Sequence, residues 1–460
     1  MRPPFRSTRM LALALAATVV PVSTVAAGGQ SVAATSSVTL SGTALTVAAA
    51  PRIPDTPAGR QLTWLLDALS RAPLPESELR EHFAAGFLQE VPPAEINKFV
   101  AALKGLTLQT LNEADPTSLY GTAKLGGEDY VVTLSVDDDG KINSLRVQQP
   151  QPLPPGPKNW RELDTRMRSV APNVGFLAAE IDSRGRCQVV HGVNVDKPRP
   201  LGSIFKLYVL GAVAEKVRDG KLSWDTELTI KPEWKSPSEG GLWERPDNSK
   251  VTVREAAKLM ISISDNTAAD ILIHTVGRRA VEAKVRQWSD HPKLNIPFLT
   301  TRELFLLKGI DHPRQARTYL GLSTAKKRKY LRDVVAKQDG SGMKPWTTPR
   351  EVDTIEWFGS PRDICRAYVG LSRLNSKTLN ETLSGFDGLG LDAKKWPTVW
   401  FKGGSEPGLL DLAYLGRSAS GKTYVVTALA YDKRKALPEE RVAPQMISLI
   451  KGSFSLVGSR

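Results

Sequence analysis

Apolar spacing divides this chain into a segment of helices then strands, and a longer segment whose strands bracket helices. Leu62, Leu65, Leu66 and Leu69 recur at helical spacing, so a helix is predicted there, with a second over 76–83. Pro92-Pro93-Ala94-Glu95 opens a third, running through Phe99, Val100 and Leu103 and stopping near Gly105. Strand-like runs follow at 106–111, 118–125, 130–136 and 142–147, the last two joined by the turn Asp137-Asp138-Asp139-Gly140. Helices followed by a meander predict a small α+β domain with its sheet covered on one face.

The Pro-rich run from Gln149 to Pro157 predicts a stiff, extended linker. Beyond it, strands at 174–181 and 187–191 precede an almost wholly apolar helix starting near Ser203. The middle reads as mostly helical. Strands return at 398–401, 409–415 and 423–431, and a last helix starts near Pro438. Strands at both ends around a helical middle predict one sheet built from the termini plus a helical subdomain, with a site at their junction.

Arg2, Arg6 and Arg9, a short apolar stretch from Met10 to Val20 and then Val25-Ala26-Ala27 read as a cleavable Sec-type leader. The stretch is short for a membrane anchor, and no neighbouring cysteine offers a lipid site. The expected organisation is a signal over 1–27, an uncharged flexible spacer over 28–54, a small domain over 55–148, a linker over 149–158 and a large domain over 159–460. The expected location is secreted or at the cell envelope.

Charge sharpens the division. Residues 51–150 carry 9 basic and 14 acidic side chains, whereas residues 151–460 are net +16 within a chain of net +14. An exported basic domain can be drawn to anionic envelope polymers, although a generally basic surface without a dedicated partner explains the same count. The basic residues are dispersed and no nucleic-acid motif accompanies them, so nucleic acid is excluded as a partner. The five histidines are scattered and no Cys/His spacing suggests a metal; neither metal nor organic cofactor is expected, and the protein is expected to be a monomer. Cys187 and Cys365, the two cysteines, are read either as a disulfide or as two buried thiols.

Three short segments carry the chemistry. Ser203 and Lys206 are three residues apart at the start of an apolar helix, so they share one face. Burial disfavours an ammonium, which prepares Lys206 to take the serine proton. Ser264-Asp265-Asn266 falls between a helix capped by Thr252 and Glu255 and a following helix; taken alone, it reads as a simple cap. Lys402-Gly403-Gly404-Ser405 follows Val399-Trp400-Phe401, where glycines permit close backbone approach; taken alone, it reads as a hairpin turn.

Together these segments resemble the penicillin-recognising serine hydrolases, and within them the class A β-lactamases. The stretches Val251-Thr252-Val253-Arg254-Glu255, Met260 to Ala268 and Ser360-Pro361-Arg362-Asp363 are similar to that family's sequence. The 61 residues from Ser203 to Ser264 match its spacing, and the 138 from Ser264 to Lys402 exceed it, so residues near 285–340 read as an insertion. The resemblance implies an α+β/α fold: a β-lactamase-like domain of antiparallel sheet plus helical subdomain, preceded by a small α+β domain loosely similar to cystatin-like or nuclear-transport-factor-like folds. It implies Ser203 as the acylated nucleophile, Lys206 as its base, Ser264 as a proton shuttle and Lys402 as a positive charge for Ser264 and an anionic substrate group. It assigns Asn266, Gly404 and Ser405 to substrate binding, with the N–H groups of Ser203 and Ser405 as the oxyanion hole.

Two departures qualify what the resemblance implies. Gly403 stands where the family has a carboxylate-binding hydroxyl, a role Ser405 could take over. The region Asp339 to Trp346 lacks the family's deacylating glutamate, leaving Glu351 and Glu356 as the nearby candidates for that base. The layout resembles two-domain exported serine hydrolases of clavulanic-acid biosynthetic clusters and related actinobacterial proteins. The expected function is an exported serine hydrolase acting on β-lactams or related esters and amides. The alternatives are a D-alanyl peptidase acting on peptidoglycan peptides and a non-catalytic β-lactam sensor.

Overall fold

The computed structural model describes residue 51 and residues 53–458, apart from 116–117, 138, 150–152, 238–240, 341, 344–345 and 386–387. The expected leader, most of the expected spacer and part of the Pro-rich linker lie outside the described residues.

Thr56 accepts from the Gly59 N–H and Pro57 follows it, which starts helix α1 (Pro57–Ala68) and turns Leu62 and Leu65 inward. Helices α2 (Glu76–His82), α3 (Ala85–Glu90) and α4 (Pro93–Ala102) follow. The chain then makes an antiparallel meander of β1 (Thr107–Asp115), β2 (Ser118–Leu125), β3 (Glu128–Val136) and β4 (Ile142–Gln148). Leu119, Val132, Leu134 and Ile142 pack with Leu62, Leu65, Phe83 and Val100 in one apolar core. The six-residue α3 is the element that periodicity does not reveal, since it spans under two turns.

Residues 163–457 build two further apolar clusters, one on each face of a single sheet. Helix α5 (Trp160–Val170) leads into strands β5 (Asn173–Ile181), β6 (Cys187–Val193) and the short β7 (Arg199–Pro200), then α6 (Lys206–Arg218). A two-stranded ribbon, β8 (Glu227–Thr229) with β9 (Lys250–Thr252), precedes helices α7 (Val253–Ser262), α8 (Asn266–Val276) and α9 (Arg278–Trp288). Then come α10 (Thr301–Gly309), α11 (Arg314–Leu320) and α12 (Thr324–Asp333), the short β10 (Phe358–Gly359), α13 (Pro361–Arg373) and α14 (Lys377–Ser384). Strands β11 (Thr398–Glu406), β12 (Leu409–Arg417) and β13 (Thr423–Tyr431) return before α15 (Glu439–Gly458).

The five-stranded sheet runs β11-β12-β13-β5-β6, every neighbour antiparallel. Side chains alternate across it as the strand period demands. Phe176 and Ala178 face the cluster of α5 and α15, whereas Leu177 and Ala179 face the cluster of α6, α7, α8 and α13. This is a β-lactamase-like fold: one antiparallel sheet, helices on both faces, and a helical subdomain. Lys402 to Glu406 belongs to a continuous strand, not to a turn; the turn comes at Gly408, with φ at 90°. Cys187 and Cys365 are disulfide-bonded, joining β6 to α13. Among the described residues, no helix is long and apolar enough to cross a membrane.

Candidate active site

Three elements bring the chemistry together. Ser203 lies in a 3-10 turn (Gly202–Phe205) that runs directly into α6. The next residues inward are apolar, so Lys206 is carried into the core with no solvent exposure. Thr252 caps α7 by accepting from the Glu255 N–H. Asp265 caps α8 by accepting from Ala268 N–H at 2.9 Å and also from Leu242 N–H at 2.7 Å. The cap leaves Ser264 at a φ of 60°, in the left-handed region where a serine is strained. Both readings of this trio hold: Asp265 is the cap, and it aims Ser264 and Asn266 at Lys206.

The Lys206 ammonium nitrogen lies 3.2 Å from Ser203 Oγ, 3.1 Å from Ser264 Oγ and 2.8 Å from Asn266 Oδ1, and it also donates to the Ser264 carbonyl. Lys402, on β11, reaches the same Ser264 Oγ at 2.9 Å and the Gly403 carbonyl at 2.8 Å. Ser203, Lys206, Ser264 and Lys402 thus form one connected chain. Asn266 Nδ2 donates to the Pro237 carbonyl at 2.8 Å, which ties the start of α8 to the loop between β8 and β9.

Burial sets the electrostatics. It pulls the Lys206 ammonium down to about 7, partly opposed by Asp265 and Asp270. Burial also holds Lys402 well below the ordinary lysine range, and Lys206 adds to that. Asp265 is itself raised by burial, against the hydrogen bonds it accepts. Two amines that share one hydroxyl in a dry site resist both being charged.

Gly202 and Gly404 decide how closely the strand approaches the turn that carries Ser203. A Cβ at Gly404 would fall 2.4 Å from the Leu201 carbonyl oxygen and 2.8 Å from Ser203 N. One at Gly202, whose φ is 45°, would fall 3.2 Å from Ser405 N. The two glycines therefore bring the Ser203 and Ser405 backbone nitrogens to one place, with the Ser405 side chain exposed.

The two glutamates stand apart from this chain. Glu356 is buried and gives one oxygen to Lys308 at 3.2 Å and the other to Trp357 N–H at 3.1 Å. Glu351, at a φ of 51°, accepts from Thr354 Oγ1 and lies 3.6 Å from His312 Nε2. Neither has a hydrogen bond to Ser203, Lys206, Ser264 or Lys402 among those of the described residues. Lys308 and its second partner, Glu406, carried no signal in the sequence, because 98 residues separate them.

Residues 160–353 match the family described as the beta-lactamase enzyme family, and residues 53–142 match the N-terminal region described for the ORF 12 gene product. Over that span the chain is similar to the beta-lactamase enzyme family. Ser203, Lys206, Ser264 and Asn266 fall inside the matched span, and Lys402 joins them from beyond it by geometry. A beta-lactamase regulatory protein, BlaB of Streptomyces cacaoi, is 30% identical over 98 residues, 21% of this chain and 31% of that protein. The chain therefore matches about a third of the length of that relative. Among solved structures, that of PBP-A is 17% identical, covering 67% of this chain and 100% of its own, with a TM-score of 0.43. A beta-lactamase from Sphaerobacter thermophilus DSM 20745 is 19% identical, covering 66% and 98%, with a TM-score of 0.46.

Proposed function

We propose that this protein is an exported serine hydrolase of the β-lactamase-like superfamily that works through an acyl-enzyme on Ser203. The observation that carries the reading is the unbroken hydrogen-bonded chain from Ser203 through Lys206 and Ser264 to Lys402. Ser203 Oγ attacks the substrate carbonyl carbon, its proton passing to neutral Lys206. The N–H groups of Ser203 and Ser405 receive the developing oxyanion. Lys206 returns the proton through Ser264 Oγ to the leaving nitrogen or oxygen as the carbonyl–heteroatom bond breaks. Lys402 and Ser405 meet an anionic group of the substrate, and Asn266 and the strand edge at Gly404 align its acyl side. Substrates are β-lactams or related esters and amides. The Cys187–Cys365 disulfide supports export, since such bonds persist in oxidising compartments.

A second reading shares the acylation step and differs afterwards. Glu351 and Glu356 are both engaged away from Ser203, which favours slow release of the acyl group, as in a penicillin-binding peptidase or a sensor. Intact mass followed over time with a chromogenic cephalosporin, with Ser203→Ala alongside, tests both. An adduct that forms and clears supports the hydrolase, and one that persists supports the second reading. No adduct on a folded protein, or hydrolysis retained by Ser203→Ala, refutes the mechanism.

A further inference from the structure

Lys308 lies fully buried on α10, and its ammonium touches carboxylates from two different segments. Its Nζ donates to the two oxygens of Glu406 at 2.8 and 2.9 Å and to Glu356 Oε1 at 3.2 Å. Glu406 ends β11 and directly follows Ser405. Glu356 directly precedes Trp357 and accepts from its N–H. Trp357 in turn holds the nucleophile turn at two points. Its carbonyl accepts from Leu201 N–H at 2.8 Å, and its ring stacks on Phe205 with centroids 3.7 Å apart. Leu201 and Phe205 flank Ser203 on either side. One buried cation therefore joins the backbone beside Ser405 to the backbone around Ser203.

We infer that Lys308 is a positioning residue that fixes the separation of the Ser203 and Ser405 N–H groups. The inference rests on the acyl-transfer reading above, in which those two groups form the oxyanion hole. A donor pair aimed at a developing charge loses much of its effect when one member shifts by about 1 Å. Lys308 comes from the stretch that motif spacing marks as inserted, so this chain braces its oxyanion strand from outside the three motifs.

The charges in the cluster give the brace a pH limit. Two carboxylates face one ammonium, so the cluster is balanced only while one carboxylate keeps a proton. Burial pushes the Glu356 carboxyl up to about 8, with Lys308 opposing and Glu406 adding to the rise. Asp411 on β12 is held well above the usual carboxyl range by burial and also feels Glu356, with Arg199 on β7 opposing that rise at Asp411. Arg350 also approaches, donating to the Lys308 carbonyl at 3.0 Å. Above about pH 8 a second negative charge enters beside the end of β11 and loosens the brace.

The test compares the full-length protein with Glu356→Gln and with the triple replacement Lys308→Met/Glu356→Gln/Glu406→Gln. The triple variant removes the ammonium and both of its carboxylates, which guards against misfolding from an unpaired ion. Two quantities are read: the rate of adduct formation with a chromogenic cephalosporin at pH values on both sides of the Glu356 transition, and crystal structures of wild type and triple variant. The triple variant is expected to fold, to acylate about 100-fold more slowly at neutral pH, and to show Ser405 N displaced by about 1 Å from its place beside Ser203 N. Above about pH 8, as Glu356 ionises, wild type is expected to slow below its rate at neutral pH, and Glu356→Gln to show no such decline. An unchanged Ser203–Ser405 separation in the triple variant overturns the inference, and so does a displaced strand with a wild-type rate. Wild type forming no adduct at all would overturn the acyl-transfer reading, and the crystal comparison would still decide the positioning role.

Discussion

Ser264 holds its backbone at a φ of 60° with its hydroxyl oxygen 2.9 Å from Lys402 Nζ. A serine in the left-handed region costs about 1–2 kcal/mol, and here the Asp265 cap maintains it. The strained position puts the hydroxyl between two amines, with Lys206 at 3.1 Å on its other side. That placement suits a group that passes a proton from the base to the leaving atom. Ser264→Ala is expected to slow acylation by about 10²–10⁴-fold, the usual range for a lost proton-transfer group, with little change in melting temperature. Stopped-flow measurement of adduct formation checks it. A wild-type rate in this variant would remove Ser264 from the proton path.

The low setting of Lys206 predicts how the rate responds to pH. In the proposed mechanism Lys206 must be neutral to accept the Ser203 proton, and burial brings its ammonium to about 7. The acylation rate should therefore rise with pH through about 7 rather than keep rising toward the ordinary lysine value; it then levels in Glu356→Gln and turns down in wild type as Glu356 ionises. The same shift has a stability signature. Between about 7 and the unfolded value of about 10.5, the unfolded chain binds more protons at this site than the folded one. Its contribution to stability therefore increases with pH across that window and is most unfavourable below it. Lys206→Met should raise the unfolding free energy, by more in mildly acidic buffer than in alkaline buffer, while abolishing acylation. Denaturant titrations at both ends of the window test the sign, and a larger gain at the alkaline end would contradict it.

Lys402 predicts a proton taken up on binding. In the free protein, burial and Lys206 hold its ammonium well below the ordinary range. An anionic substrate group placed against it would favour the charged form and raise it again. Ser203→Ala binding a carboxylate-bearing β-lactam near neutral pH should take protons from the buffer. Calorimetry in buffers of different ionisation enthalpy measures that uptake directly. Binding without proton exchange would mean that Lys402 is already charged, or that the anion docks elsewhere.

What the sequence reveals and what it hides follow from distance along the chain. Residues three or four apart must share a helix face, so Ser203 with Lys206 and Thr252 with Glu255 could be read directly. The meander of the small domain was equally legible, because alternation and a turn between neighbouring runs define it. The strand through Gly403 and Gly404 is hidden in the sequence, because glycines signal a turn locally and the real cause of Gly404 is the Leu201–Ser203 backbone pressed against it. The choice between disulfide and free thiols, and the pairing of Lys308 with Glu406, depend on contacts across 178 and 98 residues. No local pattern encodes these. Only the folded chain brings Lys308 on α10 to Glu406 at the end of β11 and to Glu356 beside Trp357.

The disulfide is the last of these hidden contacts to make a prediction. Cys187 starts β6, at the edge of the sheet, and Cys365 is fully buried on α13. The bond closes a loop spanning 178 positions, which contains Ser203, Lys206 and Ser264 but not Lys402. Crosslinking a loop of this length restricts the unfolded chain strongly, and removing such a bond typically costs about 2–5 kcal/mol. Cys187→Ala/Cys365→Ala should therefore unfold at a clearly lower denaturant concentration than the oxidised protein. Neither cysteine has a hydrogen bond into the chain from Ser203 to Lys402, so the acylation rate well below the melting temperature should stay close to wild type. Reduction of the wild-type protein should reproduce the shift of the double variant. If oxidised and reduced protein unfold together, the two cysteines contribute packing alone, and the bond cannot be what holds β6 to α13.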